Sequence, residues 1–313
     1  VVILFIERIL KMYDIVIIGS GPAGLTAAIY ARRANKSVLV LEKESFGGQI
    51  TYSPKVENYP GFQSASGNEL AEKFMDQAMA LGAEIELDTV TGIEKSGKVI
   101  KVIGESSEYE AAAVIIAAGS KHRQLGLDGE NELIGEGVSY CAVCDGAFYA
   151  GKDVALVGGG NTALQEAVLL SETCKSVTIV QDLDFLTGEA LLVEQLKEKD
   201  NVKTIFGSAV TGLIYGDTLE GLELTDRKTG ETSFLEVGGV FVAIGQKPEN
   251  EPFASVCSLN EAGYIVAGED CLTGTDGVFA AGDCRAKAIR QVATAAGDGA
   301  AAAVAACRYI DSL

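Results

Sequence analysis

Two cysteines stand two residues apart in Cys141-Ala142-Val143-Cys144, and Asp145-Gly146 follows directly. Thiols at that spacing close a small disulfide and exchange it with another dithiol. A carboxyl beside a thiolate, its pKa raised by burial, relays protons to and from sulfur. Asp145 has a plainer alternative as a turn residue in Asp-Gly. Zinc is the competing use of Cys-x-x-Cys, but a structural zinc takes four ligands. Cys174, Cys257, Cys271, Cys284 and Cys307 stand singly and His122 is the only histidine, so no second ligand pair exists. No metal is expected. Two inert core thiols are the remaining alternative. His122 reads as a solvent or interdomain residue, and Cys284 as a buried, unreactive thiol.

The elements that must position this pair come from an internal repeat. YDIVIIGSGPAGLTAAIYARRANKSVLVLEK from Tyr13 recurs without gaps as KDVALVGGGNTALQEAVLLSETCKSVTIVQD from Lys152. Each copy is a short apolar run, a glycine turn, a helix-period stretch and a second β-branched run, which is a β-α-β unit. Gly19-x-Gly21-x-x-Gly24 and Gly158-x-Gly160-x-x-Ala163 have dinucleotide-turn spacing. The first glycine permits the tight turn, the second lets backbone approach a pyrophosphate, and the third small residue lets helix pack on strand. The helix N-terminus then offers N–H groups to phosphate. A lone motif of this kind is weak; two, each between strand and helix, point to two nucleotide-binding domains. A side-chain dithiol in such a fold implies a redox cofactor, and a flavin carries two electrons.

The copies differ at the position that grips the adenosine ribose. Glu42 closes the first unit, whereas Gln181 stands at the matching place in the second. Val114–Ser120 and Val240–Pro248 each read as a buried strand ending in a small-residue turn, and the segment before Gly282-Asp283 reads likewise. The expected fold class is α/β: two Rossmann-like, three-layer nucleotide-binding domains, the second inserted into the first. Residues 12–122 and 251–313 form the first domain and 123–250 the inserted one carrying Cys-x-x-Cys. Residues 1–11 are expected to be an extension ahead of Met12. The alanines from 300 to 306 read as a tightly packed helix.

Lys+Arg is 25 against Asp+Glu 44, a formal net charge of −19. Nucleic-acid binding and basic-patch membrane binding both need cations and are not expected. No apolar run reaches the roughly 18–20 residues of a bilayer span. Without a secretory signal the expected location is the cytoplasm, where thiols stay reduced.

The chain resembles the low-molecular-weight, bacterial-type thioredoxin reductases over essentially all of 12–313. The resemblance is carried by GSGPAG at Gly19–Gly24, GGQIT at Gly47–Thr51, VENYPGF at Val56–Phe62, CAVCDG at Cys141–Gly146 and GGGNTA at Gly158–Ala163. VFVAIG at Val240–Gly245, VFAAGD at Val278–Asp283 and IRQV at Ile289–Val292 complete it. It implies FAD in the split domain, with Gly19, Ser20, Gly21, Pro22, Ala23 and Gly24 around the pyrophosphate and Glu42 and Lys43 at the adenosine ribose. Gly47, Gly48, Gln49, Asn58, Ala118 and Gly119 belong to the same cofactor site. Gly282 and Asp283 would meet the ribitol, and Arg290, Gln291 and Val292 the isoalloxazine. It further implies Cys144 as the flavin-proximal sulfur, Cys141 as the interchange nucleophile and Asp145 as proton donor and acceptor. Thioredoxin is the implied partner and a homodimer the implied assembly.

One part of the family pattern is missing. Members that use NADPH carry His-Arg-Arg-x-x-x-Arg after the second unit's last strand, and here the stretch runs Gln181, Asp182, Leu183, Asp184, Phe185, Leu186, Thr187. A charge-assisted hydrogen bond contributes roughly 1.5–3 kcal/mol, so losing two or three weakens a 2′-phosphate site on the order of a thousandfold. Reduced ferredoxin is therefore the expected donor, with NADH next and NADPH disfavoured. The ferredoxin-dependent branch of the family is similar in lacking the nucleotide signature while keeping FAD and Cys-x-x-Cys. From plant-type ferredoxins near about −400 mV to thioredoxin near about −270 mV, two electrons fall by roughly 6 kcal/mol. A small-molecule dithiol oxidase and a non-catalytic electron-transfer subunit are the alternatives from other classes.

Overall fold

The computed structural model describes residues 11–53 and 56–313. Its Cα packing divides the chain into two units. One takes in the described residues up to Thr51, then Tyr59–Lys121 and Lys247–Leu313; the other takes those of Tyr52–Asn58 and His122–Gln246. The joints near 122 and 247 lie within a few residues of the sequence expectation, but the described residues of Tyr52–Asn58, expected in the first domain, group with the second unit. Asn250 is fully buried and donates its side-chain amide to the carbonyls of Gly263 and Cys284, which ties it to the first unit. His122 stacks on Tyr140 at 5.4 Å, which ties it to the second. The expectation for residues 1–11 falls, Lys11 apart, outside the described residues.

In the first unit strand Met12–Ile18 is apolar from Ile15 to Ile18 because that part sits inside a parallel sheet, with Ile15, Val16 and Ile17 fully buried. It pairs in parallel with Val38–Glu42 on one side and Glu108–Ile116 on the other. Val38–Glu42 pairs onward with Glu84–Leu87. Glu108–Ile116 serves two partners along one edge. Its first half pairs antiparallel with Val99–Gly104, which turns back to Val90–Ser96. Its last three residues pair in parallel with Val278–Ala280. The C-terminal segment thus enters the sheet that the first segment began. The buried end of Glu108–Ile116 matches the strand expected from Val114, whereas its antiparallel half carries no such apolar signal.

Helix Pro22–Arg33 begins at the glycine turn with Gly21 as N-cap and Pro22 in the first position. Helix Val292–Asp311 lies against it so closely that a Cβ on Gly299 would stand 2.1 Å from the carbonyl oxygen of Ala23. Buried Ala302, Ala303 and Ala306 explain the alanine run.

In the second unit five parallel strands follow the order Val202–Ile205, Ser176–Val180, Asp153–Val157, Val240–Val242, Val138–Ser139. Helix Asn161–Ser171 connects the two strands of the repeat and buries Ala163, Leu164, Ala167 and Leu170. Three antiparallel strands, Ser208–Tyr215, Leu219–Asp226 and Thr232–Glu236, form a separate sheet that the repeat did not announce. Among the described residues no helix is long and apolar enough to cross a membrane.

Candidate active site

The dithiol occupies one turn at the end of a strand. Val138–Ser139 delivers the chain to Cys141, which caps helix Ala142–Asp145. Cys141 and Cys144 are joined as a disulfide with Cα atoms 5.3 Å apart. The Cys144 N–H points at the Cys141 sulfur, 3.2 Å away. An N–H aimed at sulfur favours a thiolate there once the bond is reduced. Both cysteines are half-buried.

Asp145 is more than a turn residue. The Ser139 hydroxyl donates to Asp145 Oδ2 at 2.7 Å and accepts the Cys141 N–H at 3.1 Å. Asp145 Oδ1 is buried without a hydrogen-bond partner. Burial raises the Asp145 pKa, and the Ser139 hydrogen bond opposes it only in part. A carboxyl held this way is biased toward its protonated form.

The first unit places the expected pyrophosphate residues Gly19–Gly24 beside a second glycine turn at Gly47 and Gly48. Gly19 has φ +104°, and a Cβ on it would stand 2.3 Å from the Ala117 carbonyl. A Cβ on Gly24 would stand 1.9 Å from the Gly19 carbonyl, so the helix can leave the turn only from glycine. A Cβ on Gly21 would meet nothing nearer than 3.9 Å, which leaves the side a phosphate approaches open. Gly47 and Gly48, both at positive φ, lie against this turn, with Gly48 close to the Gly21 Cα and the Gly47 N–H reaching Ser20. Gly119, at φ +69°, has open space where a side chain would project, next to half-buried Ala118. Gln49 is exposed, as are Lys43 and Asn58, and Asn58 groups with the second unit.

Glu42 has a second task that the sequence does not announce. Its Oε2 accepts from the Ser20 N–H at 2.8 Å and the Ser20 hydroxyl at 2.7 Å, and its Oε1 accepts from the Lys43 and Glu44 N–H groups. It therefore locks the glycine turn, and a ribose hydroxyl has to displace one of these donors to bind it. Lys43 itself pairs with Glu249.

Asp283 follows Gly282 at the end of the returning strand. Burial raises its pKa against the opposing charges of Lys287 and Arg290. Its Oδ1 is buried with no hydrogen-bond partner, Lys287 Nζ lying 3.6 Å away, and Arg290 Nε is likewise unpartnered. The Arg290 guanidinium lies over the Tyr264 ring at 4.2 Å. Gln291 and Val292 open the last helix, where Gln291 and Thr294 form a capping box. Buried unpaired polar atoms are costly unless a ligand satisfies them. Together with the open Gly21 and Gly119, they fit a polar dinucleotide cofactor such as FAD.

Below Asp283 lies an ion cluster that the sequence does not signal. Asp298 accepts from Arg285 Nε and Nη2, both at 2.8 Å, from Lys287 Nζ at 3.0 Å and from the Gly282 N–H at 3.0 Å. Cys284 is fully buried and its thiol is pushed up to about 12 by burial, consistent with an unreactive role.

The second glycine turn is built like the first, with Gly158 at φ +131°, and a Cβ on Gly160 would meet nothing nearer than Thr187 Oγ1 at 3.7 Å. Its own loop bonds to the Gly159 side. The Thr187 and Gly188 N–H groups donate to the Gly159 carbonyl. The buried Gln181 side chain leaves no room for a Cβ on Gly159 and donates to the Phe185 carbonyl. Asn161, at the start of the helix, exchanges hydrogen bonds with Glu189. Asp182 and Asp184 are not isolated. Arg227 lies 3.8 Å from Asp182 and Lys228 2.8 Å from Asp184, so their repulsion toward a phosphate is weaker than the sequence alone suggests.

A family model for pyridine nucleotide-disulphide oxidoreductases matches residues 13–299. The thioredoxin reductase of Bacillus subtilis (strain 168) is 43% identical over 305 residues, 97% of this chain and 96% of that protein. The crystal structure of thioredoxin reductase from Streptococcus pyogenes MGAS5005 superposes with a TM-score of 0.91 at 40% identity, covering 96% of this chain and 99% of that one. The ferredoxin-flavin thioredoxin reductase from Clostridium acetobutylicum matches with a TM-score of 0.53 at 33% identity, over 96% and 99%.

Proposed function

Since the chain belongs to the low-molecular-weight thioredoxin reductases, flavin-dependent disulfide oxidoreductases within the pyridine nucleotide-disulphide oxidoreductase family, we propose that it reduces the disulfide of thioredoxin with electrons drawn from reduced ferredoxin. The observation that carries the reductase reading is the Cys141–Cys144 pair with Asp145 buried beside it. FAD, when bound by the first unit, supplies the electron pair that reduces the disulfide. Gly19–Gly24 would hold its pyrophosphate through backbone N–H groups and the helix N-terminus, while Asp283 and Arg290 would satisfy their unpaired atoms on it. Cys141 is the sulfur that attacks the partner disulfide. Cys144 closes the internal disulfide again, and Asp145 holds the transferred proton.

The donor assignment rests on the second unit. The position of the ribose acid is held by Gln181, whose side chain already donates to the Phe185 carbonyl, and no arginine follows it in the strand-end segment. A ferredoxin-flavin thioredoxin reductase is among the similar structures, but the similarity to thioredoxin reductases named without that donor is higher, so the donor assignment rests on Gln181 and the missing arginines. One observation favours a pyridine nucleotide instead: Arg227 and Lys228 bring two cations beside the same loop. Anaerobic mixing of the flavin-loaded protein with NADPH, NADH and reduced ferredoxin in parallel decides between them. Fast flavin bleaching by ferredoxin alone is expected; fast bleaching by micromolar NADPH overturns the donor assignment.

A further inference from the structure

Tyr264 lies in none of the segments expected to bind the cofactor, yet its ring carries the arginine expected there. The Arg290 guanidinium carbon stands 4.2 Å from the Tyr264 ring centroid. A cation over an aromatic face is drawn to the negative side of the ring. Both side chains are half-buried, while Ala288 and Ile289, just ahead of Arg290, are exposed. Arg290 Nε is buried without a hydrogen-bond partner. The ring thus engages the face of the guanidinium and leaves its Nε–H edge uncommitted.

The two partners differ in how firmly the chain holds them. The Tyr264 N–H donates to Asn260 Oδ1 at 2.9 Å, and the Tyr264 carbonyl accepts the Asn260 N–H at 2.9 Å. Next to it, fully buried Ile265 donates to the Cys284 carbonyl and accepts the Ala286 N–H. The Asn250 amide binds the carbonyls of Gly263 and Cys284. These bonds stitch residues 263–265 to the stretch just after Asp283. Arg290, by contrast, lies outside helix and strand, ahead of helix Val292–Asp311, and an arginine side chain has many rotamers to lose on meeting a ligand.

We propose that Tyr264 is a positioning residue: its anchored ring is a shelf that holds Arg290 in place for the cofactor before the cofactor binds. The inference rests on the reading that the first unit binds FAD with Arg290 against the isoalloxazine. Arg290 then has little freedom left to lose on binding, and its cation favours the negative charge that a flavin gains on reduction.

The test has two readouts. FAD affinity is read from the flavin fluorescence released as the flavin-loaded protein is diluted, and the flavin midpoint potential from anaerobic reduction against a reference dye. Ordering one such side chain on binding weakens affinity by about two- to tenfold. Tyr264→Leu should weaken FAD by that factor and move the potential in the negative direction, as Arg290→Ala does. Tyr264→Phe keeps the ring face and should match wild type in both. In an Arg290→Ala background Tyr264→Leu should change neither. Phenylalanines with one, two or three ring fluorines at position 264 keep the shape while draining the negative face, and FAD should loosen stepwise along that series.

Tyr264→Leu protein equal to wild type, with Arg290→Ala weakened, overturns the proposal and leaves the cofactor reading intact. So does a Tyr264→Leu effect of full size in the Arg290→Ala background. A flat fluorination series overturns it too, and those variants keep the bulk of the side chain. Arg290→Ala protein that holds FAD as tightly as wild type, at an unmoved potential, sinks the placement of Arg290 on the flavin and the proposal with it.

Discussion

Asp298→Asn tests how the first unit holds its cofactor end. The carboxylate receives four donors within 3.0 Å, two from Arg285, one from Lys287 and one from the Gly282 N–H. The Arg285, Lys287 and Asp298 side chains are only 9%, 7% and 11% exposed. Asparagine keeps the shape but leaves two buried cations facing a neutral group, and it turns an N–H of its own toward their donors. Removing one partner of a buried ion pair costs about 3–5 kcal/mol. The pH dependence has a definite sign. Burial alone would raise the Asp298 pKa, but hydrogen bonds from Arg285 and Lys287 outweigh it and hold the pKa below its ordinary value. Its stabilising contribution is therefore present above the unfolded value near about 4 and is lost as pH falls through the lower folded value. Urea unfolding of wild type and variant, at neutral and at strongly acid pH, measures both statements. Gel filtration followed by flavin absorbance measures the loss of cofactor expected when Gly282 and Asp283 lose their support. A neutral-pH loss under about 1 kcal/mol, or a loss undiminished in acid, refutes the reasoning.

Two other outcomes follow from the same geometry. Gly24→Ala places a Cβ 1.9 Å from the Gly19 carbonyl; the turn must distort, and the purified protein should lose its flavin absorbance while thermal unfolding of the second unit stays in place. Glu166 has its folded pKa raised from 4.5 to about 7, so its stabilising contribution is complete below pH 4.5 and is lost as pH rises through 7. Glu166→Gln should remove that loss and raise stability at pH 8 by roughly 3 kcal/mol, read by urea unfolding on both sides of the window.

What was legible in the sequence was local. The β-α-β copies show themselves because apolar period, glycine spacing and β-branched runs lie within about thirty residues. Cys141 and Cys144 need only three positions. The Glu42 lock on Ser20 spans 22 residues, and glutamate at a strand end reads equally well as a ribose ligand. Asp298 finds Arg285 and Lys287 across the turn into the last helix, a pairing set by packing and not by any repeat. The charge of Asp182 and Asp184 is visible in the sequence, but Arg227 and Lys228 reach them only because the hairpin joining Leu219–Asp226 to Thr232–Glu236 folds back. Glu166 reads as one more polar residue on an amphipathic helix until the burial of its Oε2 is seen. Side-chain partners that are distant along the chain leave no periodic trace, and they supply much of the site's electrostatics.

Trapping the exchange intermediate tests the central claim most directly. Reduced Cys144→Ser protein mixed with oxidised thioredoxin should yield a covalent one-to-one complex through Cys141 that dithiothreitol releases, and Cys141→Ser should yield none. A wild-type protein that reduces thioredoxin while neither variant traps it, or a complex formed through Cys144 alone, contradicts the account.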